Sequence, residues 1–148
     1  MLSNGKTVLV VDDKESIRTS MSLVLESLGY SVRTAEDGHS ALREIRQENP
    51  DILLSDLSMP GMSGFELLIN VRRSFPAIRV IASSGSFSGN EIPSEVLADA
   101  FYPKGTGVST LLHVLRSLSL YRRAPEGFTT AHTFGPESIE SFASPIGA

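Results

Sequence analysis

Three carboxylates stand at the ends of apolar runs, in positions that predict a cation site. Asp12 and Asp13 come directly after the apolar residues 8–11, and Asp56 follows a second apolar run at residues 52–54. Buried strands of a parallel sheet read as continuous apolar runs, and ligands of open α/β sheets bind beyond the carboxyl ends of the strands. If the two runs form neighbouring strands, the three acids converge at one edge of the sheet, where like charges repel one another. Such a cluster requires a cation, and a few carboxylates with open coordination positions favour Mg²⁺.

Further polar groups are expected at the same edge of the sheet. A later apolar run ends in Ser83, Ser84 and Gly85, and Lys104 follows the last run. Acids, a hydroxyl group and an ammonium around one point suit phosphoryl transfer, in which Mg²⁺ neutralises charge on the phosphoryl oxygens. One carboxylate can act as the nucleophile, since aspartyl phosphates are known covalent intermediates. A lysine and a serine can then bind the remaining phosphoryl oxygens.

Apolar runs alternate with helical patterns along the chain, which predicts the elements that carry these groups. Strands are expected at residues 7–11, 30–35, 51–55, 78–83 and 100–102. The first helix is expected to end at Gly29 and the second before Pro50. The third is expected to begin at Ser63, in a capping box with Glu66. A short fourth helix is expected at residues 94–98, and the last helix from residue 108. This alternation predicts an α/β fold, a five-stranded parallel sheet with helices on both faces.

Composition excludes several classes of function. The chain has 148 residues and a net charge of −4, which argues against a nucleic-acid-binding surface. It has no cysteine, and its three histidines are scattered, so no zinc or thiol site is expected. No signal sequence and no apolar stretch of membrane-spanning length is visible, which indicates a cytoplasmic protein. Residues 124–148 carry three glutamates and no lysine or arginine, so residues 5–122 are predicted to be the folded domain and residues 123–148 a disordered acidic tail.

The segment that begins at Asp56 carries a specific family resemblance. Residues 56–64 read Asp-Leu-Ser-Met-Pro-Gly-Met-Ser-Gly, and together with residues 8–13, Ser84 and Lys104 they resemble a two-component response-regulator receiver domain. The resemblance covers residues 5–122. It implies a flavodoxin-like (βα)5 fold with the strand order 2-1-3-4-5.

The resemblance implies a role for each acid. Asp56 is expected to be the phosphorylated residue. Asp13 and Asp56 are expected to bind Mg²⁺ through their carboxylates, Ser58 through its backbone carbonyl, and Asp12 mainly through a metal-bound water.

The resemblance also implies which residues respond to the phosphoryl group. Lys104 is expected to hold that group, Ser84 to occupy the switch hydroxyl position, and Phe101 to be the switch aromatic residue. Receivers usually carry proline after the lysine, whereas here Lys104 is preceded by Pro103 and followed by Gly105.

The function implied is that of a stand-alone, single-domain response regulator. It would accept a phosphoryl group from a phosphohistidine on a sensor histidine kinase or a histidine phosphotransfer protein. It would then signal through phosphorylation-dependent binding to a downstream protein target, or pass the group on in a phosphorelay. It would catalyse only its own phosphorylation and dephosphorylation, with no nucleic acid or membrane as partner. The sequence does not decide whether it forms a homodimer.

Other interpretations of the same residues are weighed beside this one. The chain could be a constitutive receiver-like interaction module with a weakened switch, or a small Mg²⁺-dependent phosphatase, although it lacks a cap domain or substrate-binding insertion. Asp12 and Asp13 could serve only as an N-cap of the first helix. Lys104 could be a solvated turn residue, and Phe101 could be a core residue. Ser83 and Ser84 are hard to separate, although register against the following glycine favours Ser84.

Overall fold

The computed structural model describes residues 5–85 and 98–120, and in this part of the chain five parallel strands form one sheet. The strands are β1 (Thr7–Val11), β2 (Ser31–Ala35), β3 (Ile52–Asp56), β4 (Arg79–Ser84) and β5 (Ala100–Pro103). Their order across the sheet is β2-β1-β3-β4-β5, with every neighbouring pair parallel. The predicted strand order is therefore confirmed, and each strand boundary lies within one residue of its prediction.

Four helices connect or follow the strands in the described residues. They are α1 (Glu15–Ser27), α2 (Gly38–Gln47), α3 (Gly64–Ser74) and α4 (Val108–Leu120). The short helix expected at residues 94–98 lies outside the described residues except for Ala98, which is not helical. The acidic tail also lies outside them. No helix among the described residues is long and apolar enough to cross a membrane.

The two faces of the sheet bury separate apolar clusters, because successive strand residues point to opposite sides. Leu9 and Leu53 lie in a cluster with α2 and α3 residues such as Leu67. Val8 lies in the other cluster, with residues of α1 and α4 such as Leu25. Helices therefore cover both faces, as the alternating pattern predicts, and the sheet is held rigidly enough to fix the side chains at its carboxyl edge.

Candidate functional site

The carboxyl ends of β1 and β3 bring three acids together. Val11 pairs with Ser55, so Asp12 and Asp56 emerge side by side at the same edge of the sheet. Both are buried, with exposed fractions of 3% and 4%, whereas Asp13 is exposed. Each of the three carboxylates offers an oxygen within 4.8 Å of the others. Carboxylates this close do not stay ionised without a nearby positive charge.

Lys104 supplies a positive charge from the loop after β5. Its Nζ lies 2.7 Å from Asp12 Oδ2 and 3.1 Å from Asp56 Oδ2. The lysine backbone is itself held to β4, because its N–H donates to the Ser84 carbonyl at 3.1 Å. The side chain, 20% exposed, therefore spans from the sheet edge into the acid cluster.

Burial and mutual contact shift the pKa values of Asp56 and Lys104. Burial raises the pKa of Asp56, and the hydrogen bonds from the Ser58 backbone and from Lys104 only partly offset that rise. Burial alone would lower the pKa of Lys104, but its hydrogen bonds to Asp12 and Asp56 outweigh burial and raise it. The lysine is thus held in its charged form, while burial still disfavours the charge on Asp56.

Backbone groups fix the orientation of the two buried carboxylates. The N–H of Lys14 donates to Asp12 Oδ1 at 2.9 Å, and the N–H of Ser58 donates to Asp56 Oδ1 at 3.2 Å. The guanidinium of Arg18 donates to the backbone carbonyl of Asp12 at 2.8 Å. Sequence reasoning missed Arg18, whose only signal is its place one turn into the helix that follows the acid pair.

The suggestion that the acid pair caps α1 is wrong. The N-cap residue is Lys14, and no side chain makes a capping hydrogen bond there. Asp12 instead accepts the Lys14 N–H within its own turn, an arrangement that aspartate side chains favour. The side chain of Asp13 stays exposed beside the cluster.

The loop after Asp56 returns the chain close to the site. α3 begins with the predicted capping box, in which Ser63 Oγ accepts the Glu66 N–H at 3.2 Å and Glu66 Oε1 accepts the Ser63 N–H at 3.0 Å. A Cβ on Gly64 would overlap the backbone carbonyl oxygen of Asp56 and lie 2.5 Å from the Cα of Leu57. Only glycine allows the helix to start this close to the strand end.

The remaining predicted residues lie at the same edge or next to it. Ser84 is the last residue of β4 and is 1% exposed, and Ser83 pairs with Asp56 across the strands. Phe101 lies in β5, half-buried against the cluster of α2 and α3. A Cβ on Gly85 would make ordinary contact with the Lys104 side chain at 3.9 Å, so this glycine is not required by close packing with the lysine. The roles implied for these residues stay predictions.

The donor set fits a hard divalent cation. The ligand atoms that the cluster offers are carboxylate oxygens, from two buried residues and one exposed residue. Oxygen donors with few protein ligands are typical of Mg²⁺ sites, in which water or phosphoryl oxygens complete the coordination. Asp12, Asp13 and Asp56 would hold the ion. Ser58, which lies next to the cluster, contacts Asp56 through its N–H, and its carbonyl stays a predicted ligand.

Known proteins share both the sequence and the fold. Response regulator MprA of Mycolicibacterium vanbaalenii is 33% identical over 138 residues, which cover 90% of this chain and 59% of MprA. The chain therefore spans less than two thirds of that relative's length. The chemotaxis response regulator CheY4 of Vibrio cholerae superposes with a TM-score of 0.72 at 32% identity, covering 78% of this chain and 99% of CheY4.

A second similar structure holds a metal. Response regulator TrrA of Thermotoga maritima, in complex with Mg²⁺ and BeF, superposes with a TM-score of 0.71 at 30% identity, covering 76% of this chain and 98% of TrrA. The family model for the response regulator receiver domain matches residues 8–113, well over half of the chain. With the strand order and the acid cluster described above, this match shows that the chain belongs to the response regulator receiver domain family.

Proposed function

We propose that the protein is a phosphorylation-controlled response regulator in which Asp56 accepts a phosphoryl group. The observation that carries the proposal is the position of the Asp56 carboxylate, buried at the end of β3 and paired with Lys104 at 3.1 Å. A single nucleophile, a cation beside it and an acid pair able to hold Mg²⁺ are the parts that phosphoryl transfer requires.

In the proposed reaction an Asp56 carboxylate oxygen attacks phosphorus. A new O–P bond forms as the P–N bond to the donor histidine breaks, and the bonding electrons leave with the imidazole nitrogen. Bound Mg²⁺ would neutralise charge on the phosphoryl oxygens. The Lys104 ammonium, released from Asp56 Oδ2, would bind a phosphoryl oxygen, and the Ser84 hydroxyl would donate to another. Hydrolysis of the aspartyl phosphate by water resets the protein.

Phosphorylation acts on the fold through charge. The phosphoryl group carries about −1.5 to −2 charges in place of the single carboxylate charge at the end of β3, where Lys104 is the one residue with an ion pair to Asp56 among the described residues. Moving a two-state equilibrium from 1:99 to 99:1 takes about 5.5 kcal/mol of differential stabilisation. New contacts of Lys104 and Ser84 with the phosphoryl group would supply this energy, and the half-buried Phe101 ring would follow Ser84.

We infer that the donor is a sensor histidine kinase or a histidine phosphotransfer protein. The output would be a downstream protein that binds the phosphorylated form, or an onward step of a phosphorelay. The protein would catalyse only its own phosphorylation and dephosphorylation, in the cytoplasm. Three similar proteins, MprA, CheY4 and TrrA, are response regulators, and this likeness supports the role.

The test is uptake of a phosphoryl group from acetyl phosphate with Mg²⁺, read by intact-protein mass spectrometry. Wild-type protein should gain one phosphoryl group, and Asp56→Asn should gain none. Asp51→Asn is the matched control, because Asp51 lies at the opposite end of β3 and is exposed. Failure of the wild type to react, or an equal gain in Asp56→Asn, would refute the proposal.

A further inference from the structure

The turn that carries Lys104 differs from the one that receivers usually have. Gly105 follows the lysine with φ +81°, and Gly107 has φ +96°. A Cβ at position 105 would meet nothing within 4 Å, so the requirement at this position is the backbone angle and not space. Proline, the residue usual in receivers at this position, has φ near −65° and cannot adopt this conformation.

The hydroxyl of Thr106 closes the turn. Thr106 Oγ1 donates to the backbone carbonyl of Pro103 at 2.7 Å, on the other side of Lys104. The N–H of Lys104 donates to the Ser84 carbonyl at 3.1 Å, which holds the start of the turn to β4. The hydroxyl of Thr110, in the first turn of α4, donates to the Thr106 carbonyl at 3.2 Å. The lysine backbone is therefore fixed between the edge of the sheet and the start of α4.

We propose that Thr106 is a positioning residue that, together with the left-handed Gly105, aims Lys104 at the acid cluster. The side chain must reach two targets at once, Asp12 at 2.7 Å and Asp56 at 3.1 Å. A small rotation of the lysine backbone would move Nζ away from both. The inference deepens the proposed function and rests on it, since it concerns the residue that would bind the phosphoryl group.

Thr106→Val removes the hydroxyl and keeps the shape of the side chain. We expect phosphorylation by acetyl phosphate to slow about three- to tenfold, and beryllofluoride affinity to fall by a similar factor, which is the range that losing one hydrogen bond covers. Thr106→Ser keeps the hydroxyl and should stay within about twofold of wild type. Ser117→Ala is the matched control, because it removes a hydroxyl bond of the same length, to the Val114 carbonyl at 2.7 Å, in α4 and away from the lysine turn.

A double-mutant cycle separates positioning from a general effect on folding. If Thr106 acts through the lysine, Thr106→Val should have no further effect on rate or beryllofluoride affinity in a Lys104→Met background. A similar loss in both backgrounds would mean that Thr106 acts on the fold and would overturn the inference. Urea unfolding of each variant shows that it is folded under the assay conditions.

Substitutions at position 105 give a second, independent test. Gly105→Ala should lose about three- to tenfold in phosphorylation rate, because an L-residue at φ +81° is strained. Gly105→Pro, which introduces the residue usual in the family, should lose more than about tenfold. Wild-type rates in Gly105→Pro would overturn the inference, as would wild-type rates in Thr106→Val.

The outcomes also separate this inference from the proposed function. Normal phosphorylation of wild type with an effect of Lys104→Met and none of Thr106→Val would reject the positioning role alone. Absence of both phosphoryl uptake and beryllofluoride binding in the wild type would reject the proposed function, and the inference with it.

Discussion

Replacing Lys104 by methionine removes the cation between two buried carboxylates and keeps a side chain of comparable length. Asp12 and Asp56 are 3% and 4% exposed, so in Lys104→Met neither charge can be solvated well. We therefore expect the metal-free variant to be less stable than wild type at pH 7. The energy at stake comes from the two ion pairs at 2.7 and 3.1 Å.

The size of the effect follows from burial. Breaking a fully buried ion pair costs about 3–5 kcal/mol. The Lys104 side chain keeps 20% of its surface exposed, and one carboxylate of the variant can take up a proton, so we expect a loss of about 2 kcal/mol. For a chain of this size that loss corresponds to a fall in Tm of about 4–8 °C. Lys14→Met is the matched control, because Lys14 is exposed and only its backbone contacts the site.

The pH dependence of the stability difference between wild type and Lys104→Met identifies the cause of that difference. The pKa of Lys104 is raised in the folded state, since its bonds to Asp12 and Asp56 outweigh burial. Stability from a raised lysine pKa is fully present below the unfolded value and is lost as the pH rises through the folded pKa, above 10.5. At the acid end, burial raises the pKa of Asp56, so this carboxylate loses its charge at a higher pH than an ordinary aspartate, and the gap between wild type and variant should narrow as the pH falls from 7 to 4.

Urea unfolding at several pH values, in the presence of a chelator, measures this gap. A variant as stable as wild type at pH 7 would show that the lysine does not stabilise the acid cluster. A gap that is the same at pH 7 and pH 4 would show that packing of the side chain, and not its charge, is responsible.

Three further predictions concern the surroundings of the site. Asp37→Ala should destabilise the protein by about 1 kcal/mol, because it removes the α2 cap on the Ser40 N–H. That hydrogen bond lowers the Asp37 pKa, so the stability from the cap is present above the ordinary pKa of 3.8 and is lost as the pH falls through the lowered value. Asp37→Asn should keep the stability from the cap, as urea unfolding at pH 7 and pH 3 will show. Gly64→Ala should cost about 3 kcal/mol in urea unfolding, because its Cβ would overlap the Asp56 carbonyl, and unchanged stability would contradict the close approach. Asp13→Ala should leave metal-free stability within about 0.5 kcal/mol yet reduce the stabilisation by Mg²⁺, which in wild type reaches about 2.7 kcal/mol at a hundred times Kd. Tm measured along a Mg²⁺ titration reports this stabilisation, and an equal rise in Tm in the variant would remove Asp13 from the ligand set.

Much of the fold could be predicted because burial leaves a local pattern. Central strands such as β1 and β3 are apolar on both faces, so the runs that end before Asp12 and Asp56 are visible without knowledge of their partners. The ends of β3, β4 and β5 lie one residue beyond their predictions because backbone pairing continues past the apolar run, as in the pair Asp56 and Ser83. Pairing is a property of two segments, and one segment alone does not reveal it.

The start of α1 shows a second kind of limit. Aspartate before a helix is a good capping signal, yet the Asp12 carboxylate binds the Lys14 N–H inside its own turn and accepts Lys104 on its other oxygen. A tertiary partner 92 positions away in the sequence thus decides what the side chain does. The contact of Arg18 with the Asp12 carbonyl was missed for a related reason, since an arginine in a helical sequence carries no sign of its acceptor.

The acids and the lysine depend on the fold in different ways. Asp12 and Asp56 are placed by β1 and β3, which have a neighbouring strand on each side in the described sheet. Lys104 is placed by β5, a strand of four residues that pairs only with β4 in the same sheet, and then by a turn that requires a left-handed Gly105. Substitutions in this turn should therefore change how the protein holds and responds to a phosphoryl group while leaving the acid cluster assembled. Since strands at an edge open more readily than central ones, the lysine side of the site is where the response is most easily tuned.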